Sequence, residues 1–454
     1  MNGSNHTMFK SKNLILSPAM PAAILLYGII FGFAVWSYLG LQWLRIDTIS
    51  LYVSIAVWSG VVIFRRLRSI DFSLNLLDNL FGVFLLWVLG SVATHWWKGT
   101  IQYLEFMPLF FILPYLLGRM MLVQDVQLFK KLLIGMAGVL LLLLPFEYWK
   151  NSRPGFLYEN SPVPLLFGQG HGTMLAGLLL SAALLALISK LTLPIVPHTA
   201  PRNFKKHYRI FDYLMLAAVV SAMIWVASRG PAVAAVLGML ALFCSASFIG
   251  WKKMMVIFFF LGLSALIAFS ISFQNKHHKE YYQLLLMRPE VALNSVSHQA
   301  PKLEYGKPIL GEAICKDIPN SISDRWIHYR TAWEIFLAKP WTGVGANFYG
   351  FYSCTGPGWF PHSTILQVLA ELGVWAGLLY FSLIGIVFWV PITRNKSDAS
   401  VLIKANMSWL LAFVVLQFTT SQFNSNYFMS AGLYFVMGLA ASFFKSPQEN
   451  RGET

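Results

Sequence analysis

The sequence predicts an all-α, polytopic membrane protein with about twelve transmembrane helices and one large extramembrane loop. Two observations indicate this fold. Apolar residues make up 57% of the 454 residues and charged residues only 12%, about half the share that is usual in soluble domains. The apolar residues also fall in long runs, and a bilayer core roughly 30 Å thick needs about 20 of them in helical form.

Twelve apolar runs are long enough to span a membrane. They cover residues 19–40, 48–65, 78–96, 104–121, 129–148, 165–189, 211–228, 231–249, 254–273, 363–393, 403–421 and 426–444. The first run is too long for a signal-peptide core and is interpreted as the first anchor. The chain therefore divides into helices one to nine (1–273), a loop domain (274–362), and helices ten to twelve with a short tail (363–454).

The basic residues of the short loops predict the orientation. With the N-terminus in the cytoplasm, the cytoplasmic loops hold 20 Lys and Arg residues and the opposite short loops hold 5. Cytoplasmic loops of membrane proteins are enriched in Lys and Arg, so both termini are predicted to be cytoplasmic and residues 274–362 to lie outside. The formal net charge of +15 has the same explanation, and no basic stripe indicates nucleic-acid binding.

The outer loop contains one clear helical segment, SDRWIHYRTAWEIFLAKP at 323–340. A Ser-Asp pair can cap its start, and Pro340 marks its end. Its aromatic residues recur at three- and four-residue spacing, which predicts an apolar face made of Trp326, Tyr329, Trp333 and Phe336. Such a helix lies on the membrane surface or covers the bundle. Cys315 and Cys354 belong to the same loop, and the sequence leaves their pairing open.

Four arginines are candidate anion ligands. Arg229, in WVASRGPAVAAV, is either an interfacial residue at a helix end or a ligand at the outer mouth of the bundle. A guanidinium suits phosphate because its planar fork donates two hydrogen bonds and stays charged. Pro231 would leave backbone N–H groups free nearby. Arg325 is favoured as the inward-facing arginine of the outer helix, and Arg330 and Arg288 are weaker candidates.

His362 begins the tenth apolar run, in PHSTILQVLAELGVWAGLLY at 361–380, with a glycine-rich turn just upstream. A lone histidine is more often structural. This one lies at a helix N-terminus on the predicted outer side, where the helix dipole disfavours the imidazolium. A neutral imidazole can take a proton from a hydroxyl group near pH 7, so His362 is the candidate general base. Glu371, deeper in the same helix, is interpreted as structural.

A metal site is not predicted. His277, His278 and His298 lack ligand spacing with cysteine or carboxylate support, so neither a metal nor a cofactor is expected.

The motifs from Arg325 to Gly377 resemble the O-antigen ligase and polymerase superfamily. The resemblance rests on Arg229-Gly230 at the outer end of a middle helix, then RWIHYRTAWEIFLAKPWTGVGANF and HSTILQVLAELGVWAG. The other helices match only in number and hydrophobicity. The family's usual Pro-His-Asn is Pro361-His362-Ser363 here, a departure that leaves the histidine in place.

This resemblance implies a metal-independent, inverting glycosyltransferase whose fold is similar to class C transmembrane glycosyltransferases. Its donor would be a glycan on undecaprenyl pyrophosphate, and its acceptor a sugar hydroxyl of lipid A core, in lipopolysaccharide biosynthesis. The enzyme would lie among the lipids of the bacterial inner membrane with its active site facing the periplasm. Arg229 and Arg325 would bind the pyrophosphate, with Arg288 and Arg330 as weaker ligands, and His362 would take the proton.

Alternative functions stay open. An O-antigen polymerase or a protein O-oligosaccharyltransferase of the same superfamily would use related chemistry, although the short tail after residue 444 argues against the latter. A transporter of lipid-linked sugars is the alternative of another class. It predicts charged or broken helices near the bilayer midplane, whereas the apolar runs here are almost free of charge at their centres.

Overall fold

A computed structural model describes most of the chain. The described residues are 17–32, 34, 46–69, 73–95, 104–105, 107–151, 170–192, 202–226, 229–246, 251–274, 303–311, 315, 323–354, 356, 360–395, 401–424 and 430–444. Throughout these ranges the regular structure is helical. The helices are α1 (Ala19–Gly32), α2 (Ile46–Ser69), α3 (Leu76–Thr94), α4 (Pro108–Arg119), α5 (Val123–Asn151), α6 (Gly170–Thr192), α7 (Arg202–Val226), α8 (Arg229–Ser245), α9 (Trp251–Gln274), α10 (Ser323–Ala338), α11 (Thr364–Asn395), α12 (Val401–Asn424) and α13 (Ala431–Ser442).

The predicted all-helical, multi-pass architecture is confirmed. Six helices are long and apolar enough to cross a membrane, over Leu76–Thr94, Val123–Glu147, Thr173–Thr192, Trp251–Ala268, Thr364–Arg394 and Val401–Phe423. Five shorter apolar helices accompany them. Each predicted run overlaps one of α1 to α9 or α11 to α13, while the number of twelve crossings stays a prediction.

Aromatic side chains fill the centre of the bundle. The largest fully buried ones are Trp409, Tyr380, Tyr434, Phe84, Phe111, Phe129, Phe413 and Phe435. They come from α3, α4, α5, α11, α12 and α13, so these six helices share one core. Around it, α8 packs against α12 and α6, while α7 packs against α6 and α9.

Three ion pairs gather helix ends at one end of the bundle, here called the ion-pair end. Arg66 Nη2 of α2 lies 2.7 Å from Asp125 Oδ2 of α5. Arg119 Nε of α4 lies 3.0 Å from Asp78 Oδ1 of α3, and Lys190 Nζ of α6 lies 2.6 Å from Asp212 Oδ1 of α7. The predicted alternation places all of these positions on the same side of the membrane.

Lys130 corrects one detail of the charge analysis. It is one of the 20 basic residues that the sequence analysis assigned to cytoplasmic loops, yet it lies inside α5 with only 4% of its surface exposed. Its ammonium group donates to Ser189 Oγ at 3.1 Å and to Asn406 Oδ1 at 2.9 Å, and lies 4.8 Å above the Trp409 ring. These acceptors compensate for lost water, so a basic residue counted in a loop is here a buried contact between α5, α6 and α12.

A second, smaller apolar core lies at the opposite end of the bundle, here called the His362 end. It joins Ala332 and Ile335 of α10, Val344, Tyr349 and Tyr352 of the following loop, and Ala370 of α11. The outer segment therefore builds its core against the first turns of α11. Because that core is small, the outer segment has to gain most of its stability from its contacts with α11.

The outer helix forms as predicted, but its buried face differs from the expected one. The buried positions of α10 are His328, Thr331, Ala332 and Ile335, whereas Trp333 of the predicted aromatic face is 45% exposed. The small side chains of Thr331 and Ala332 suit the packing of α10 against α11, and Trp333 lies at the margin of this contact.

Cys315 and Cys354 form a disulfide, with Cα atoms 5.1 Å apart. Cys354 follows the short 3₁₀ helix Tyr349–Tyr352, so the bond ties residue 315 to the second core. Ile309 N also donates to Tyr352 O at 2.9 Å. The question that the sequence left open is answered by this pairing.

Candidate functional site

His362 lies immediately before α11 in an unusual backbone conformation. Its φ of 58° is in the left-handed region, which non-glycine residues seldom adopt and which clusters at functional sites. The imidazole lies between two rings: its centroid is 4.7 Å from that of Phe360 and 5.7 Å from that of His328. The strained residue is thus held between the loop and α10.

Gln422, near the end of α12, holds the start of α11. Its side-chain oxygen accepts hydrogen bonds from Ser363 Oγ at 3.0 Å and from Ile365 N at 3.3 Å. Its amide nitrogen donates to Thr364 Oγ1 at 2.6 Å. Tyr329 of α10 donates its hydroxyl to Gln422 O at 3.3 Å. Three helices therefore fix the backbone that follows His362.

His328 of α10 is a site residue that the sequence analysis missed. It is 4% exposed, and its Nδ1 lies 2.8 Å from the hydroxyl of Tyr349. That hydroxyl also donates to the backbone carbonyl of His328 at 3.2 Å. Tyr349 thus contacts both the ring and the backbone of His328. Burial lowers the pKa of the His328 imidazole, which favours the neutral ring.

Glu371 binds the backbone of the loop that precedes α11. Its carboxylate is fully buried and accepts hydrogen bonds from the backbone N–H groups of Asn347 at 2.8 Å and Tyr349 at 3.3 Å, and from Gln367 Nε2 at 3.3 Å. These contacts fix the glycine-rich turn beside His328. They agree with the structural interpretation of Glu371 and explain why an apolar helix has a buried acid near its start.

Two glycines let the loop enter α11. Gly373, at φ 78° and ψ −175°, interrupts that helix, and a Cβ there would overlap the carbonyl oxygen of Trp341. At Gly343, with φ 68°, an added Cβ would likewise overlap the backbone carbonyl group of Glu371. Val374 N donates to Pro340 O at 2.8 Å across the interruption. The prediction of one uninterrupted helix from residue 363 is therefore corrected. Glu371 lies on the short helical segment before Gly373, and the loop packs against the interruption that follows it.

Helix directions place Arg229 at the His362 end. Lys130 joins Ser189, near the end of α6, to Asn406, near the start of α12, so the start of α6 lies with the end of α12. Helix α8 runs parallel to α6, because Ser181 contacts Pro231 and Leu185 contacts Gly238. Residue 229 begins α8, and its backbone therefore lies at the end where Gln422 holds α11.

The structure describes the predicted arginine ligands to different extents. Arg325 lies in α10 three residues before His328, so the two positions share a helix face. Arg330 is half-buried and lies two residues after His328, on another face. The side chains of Arg229 and Arg325, and all of Arg288, lie outside the described residues. Their proposed contact with phosphate stays a prediction.

The described part of the site offers bases and hydrogen-bonding groups. In that part of the chain, no three His, Cys, Asp or Glu side chains come together as a metal site requires, and His277, His278 and His298 lie outside it. Metal-independent chemistry remains a prediction. What the geometry supplies is a strained histidine, a buried histidine beside it whose pKa is lowered by burial, and helix starts that carry arginine.

The comparison with protein families supports the predicted resemblance. Residues 214–381 match the family model described as O-Antigen ligase. The matched range begins in α7 and ends within α11, so it contains all five candidate residues, namely Arg229, Arg288, Arg325, Arg330 and His362. No curated protein matches the chain.

Proposed function

Residues 214–381 belong to the O-antigen ligase superfamily, and from that premise we propose that the protein is an O-antigen ligase of the bacterial inner membrane. It transfers O-antigen polysaccharide from undecaprenyl pyrophosphate to a sugar hydroxyl of lipid A core at the periplasmic face. One observation carries the proposal above all: His362, in a strained conformation immediately before α11, packs against His328, a buried histidine inside the matched segment.

The proposed reaction is a single displacement at the anomeric carbon of the donor. His362 takes the proton of the acceptor hydroxyl, and the hydroxyl oxygen forms a bond to that carbon. The bond between the same carbon and the pyrophosphate oxygen breaks, so undecaprenyl pyrophosphate leaves with the electron pair. Attack opposite the leaving group inverts the anomeric configuration.

Arginines at the His362 end stabilise the leaving pyrophosphate in this scheme. Arg229 begins α8, where free backbone N–H groups and the helix dipole add to the positive potential. The position of Arg325 in α10 lies on the helix face that contains His328, and we propose that its guanidinium is the second ligand. Fixed positive groups at a developing charge contribute several kcal/mol to transition-state stabilisation. The pyrophosphate linkage already activates the donor, so no nucleotide is needed.

Two features favour a periplasmic site. The loop charges predict that the His362 end lies outside, and the Cys315–Cys354 disulfide suits an oxidising compartment. Reporter fusions test the orientation: a fusion within residues 200–208 is expected to report the cytoplasm, and one within 290–320 the periplasm. A periplasmic signal from the first fusion would reverse the orientation and remove this part of the proposal.

A ligase and a polymerase of the superfamily leave different products in the cell. We expect a deletion strain to lose all polymer from lipid A core while polymer accumulates on the lipid carrier, and expression of the intact chain to restore the ladder. Cores capped with a single repeat unit would instead identify a polymerase. Purified protein that joins carrier-linked polymer to core sugar excludes a transporter, because a transporter makes no new glycosidic bond.

A further inference from the structure

We propose that Gln422 is a positioning residue for the transfer reaction, because its side-chain amide fixes the start of α11 and with it the direction of His362. The inference rests on the proposed function of His362 as general base. Gln422 is the third-last residue of α12 and lies at the His362 end of the bundle. In this scheme it acts through the backbone beside His362, without contact to donor or acceptor.

The amide of Gln422 contacts three successive residues at the start of α11. Its oxygen accepts from Ser363 Oγ at 3.0 Å and from Ile365 N at 3.3 Å. Its nitrogen donates to Thr364 Oγ1 at 2.6 Å and lies 3.5 Å from Phe418 O. A backbone N–H can only donate and a carbonyl oxygen can only accept, so these contacts determine which end of the amide is the oxygen. A single side chain therefore ties down three consecutive residues.

These contacts supply part of the cap that α11 needs. The first four backbone N–H groups of a helix have no partner within that helix. Leu366 N donates to Ser363 Oγ at 3.4 Å, and Ile365 N donates to Gln422. The start of α11 is thus capped by its own serine together with a glutamine from α12.

The conformation of His362 follows from the chain on both sides of it. Pro361 is buried, and its ring fixes its φ at about −65°. On the other side, Gln422 holds residues 363–365. A left-handed φ such as the 58° of His362 persists only where the surrounding structure imposes it. With the chain fixed on both sides, the Cα–Cβ bond of His362 has one direction, which places its ring beside Phe360.

Buried hydroxyl groups keep this arrangement rigid. Thr364 is fully buried, and its Oγ1 accepts from the Tyr380 hydroxyl at 3.1 Å and lies 3.2 Å from Ser421 Oγ. Gln422 Nε2 reaches the same serine oxygen at 3.0 Å. Buried polar networks whose members have partners rigidify the structure around them. The part of α11 beyond Gly373 therefore helps α12 to hold the start of α11.

The outer helix is joined to the same residue through the backbone. Tyr329 of α10 donates to Gln422 O at 3.3 Å, and this contact does not involve the Gln422 side chain. A side-chain substitution should release the start of α11 while α10, which contains the position of Arg325, stays attached. Because a misplacement of about 1 Å can cost 10²-fold in rate, we expect the loss in kcat and not in donor binding.

The test uses the purified full-length protein with carrier-linked donor and core acceptor. Gln422→Leu keeps a side chain of similar size and removes every amide contact. Gln422→Glu keeps an oxygen acceptor for Ser363 Oγ and Ile365 N. Gln417→Leu is the matched control, because Gln417 has the same amide in the same helix but donates to the Tyr27 hydroxyl of α1, at 2.9 Å. Thermal melting checks that each protein is folded.

We expect Gln422→Leu to lower kcat of the folded protein about 10- to 100-fold, with KM for donor nearly unchanged. Gln422→Glu should recover part of that loss, which a role in volume alone does not explain. Gln417→Leu should lower the melting temperature and keep the wild-type kcat. A wild-type kcat of Gln422→Leu, a loss confined to KM, or an equal loss in Gln417→Leu would overturn the proposal.

A shorter amide keeps the proposal testable if Gln422→Leu does not fold. Gln422→Asn has the same polar group on a side chain one carbon shorter, so the amide is withdrawn from α11. A severalfold lower kcat at unchanged KM for donor would then support the proposal, and a wild-type kcat would overturn it.

A double variant separates this inference from the proposed function. In a His362→Ala background, Gln422→Leu should cause no further loss, because Gln422 acts through the missing base. Losses that multiply would assign Gln422 a merely structural role and overturn the inference. If His362→Ala alone is fully active, the assignment of His362 as base fails and the inference fails with it. An inactive His362→Ala beside a fully active Gln422→Leu overturns only the role of Gln422.

Discussion

The two ends of the bundle use their buried carboxylates differently. At the ion-pair end, Asp78, Asp125 and Asp212 each bind a basic side chain from another helix. At the His362 end, the buried carboxylate of Glu371 instead binds backbone N–H groups of the glycine-rich turn. One end neutralises its cations in pairs, and the other uses its acid to shape a loop.

This difference agrees with the proposal that the ion-pair end joins helices and the His362 end holds the active site. A buried ion pair between helices fixes their register and neutralises charge where an anionic ligand would otherwise be attracted. A carboxylate that accepts hydrogen bonds from backbone N–H groups holds a loop in place and forms no ion pair with an arginine. The positions of Arg229 and Arg325 share their end of the bundle with a strained histidine. Substitutions at the two ends should therefore affect different properties, stability at one and rate at the other.

The largest effect is expected from Arg229. Arg229→Ala should abolish transfer at a normal protein level, because the leaving pyrophosphate loses a charged donor. Arg229→Lys should restore little, since an ammonium cannot make the two parallel hydrogen bonds of a guanidinium. The measurement is the gel shift of core acceptor with carrier-linked donor. Full activity of Arg229→Ala would identify Arg229 as an interfacial residue that only ends a helix.

Gly373→Ala should come next. Its backbone conformation is accessible to little besides glycine, and the new Cβ would overlap the carbonyl oxygen of Trp341. The loop would have to leave α11, so we expect at least a tenfold loss of rate together with a lower melting temperature. Gly385→Ala in the same helix is the control, because a Cβ there has no neighbour within 4 Å. Equal behaviour of the two variants would show that loop docking does not matter.

At the ion-pair end, Asp78→Ala should reduce stability and spare the chemistry. It removes the carboxylate partner of Arg119, which also donates to Ser73 O, and an acceptor for the Tyr115 hydroxyl, which lies 2.7 Å away. Breaking a buried pair costs about 3–5 kcal/mol because the remaining charge is uncompensated. Thermal melting should show the loss, while kcat of the folded fraction stays at the wild-type value. Lys307→Ala, which breaks an exposed pair, should change neither.

The smallest expected effect is the pH dependence of stability that His328 causes. Its folded-state pKa is lowered by burial from the usual 6.5, so the unfolded chain takes up a proton first as pH falls. The contribution of His328 is complete above pH 6.5 and is lost below it. His328→Asn should flatten this part of the melting curve against pH, and an identical slope in wild type and variant would contradict the assignment.

The sequence predicted the bundle better than the outer layer. Apolar runs near 20 residues long have few structures open to them in a membrane, so each produced a helix. Hydrophobicity could not predict the interruption at Gly373. Only the loop that packs against this position distinguishes Gly373 from other glycines in apolar helices. Lys130 was misplaced for a related reason: its acceptors, Ser189 and Asn406, are distant in the chain.

The candidate site was predictable where position in a helix sufficed. His362 and Arg229 stand out as polar residues at the ends of apolar runs. His328 did not, because it lies in a polar segment with other charged and aromatic residues, and spacing suggested another buried face for α10. A signal was present: His328 lies three residues after Arg325, on the face that Ala332 and Ile335 continue. Small residues on that face could have indicated close packing.

The central claim is that His362 takes the acceptor proton at this end of the bundle. The most direct measurement compares wild type and His362→Ala in purified form, with carrier-linked donor and core acceptor across pH, together with separate donor binding. We predict that His362→Ala loses about 10²–10⁴-fold in rate, retains donor binding, and that the wild-type rate falls as pH drops through the imidazole pKa. A His362→Ala protein that transfers at the wild-type rate, or that loses only its affinity for donor, would contradict the account.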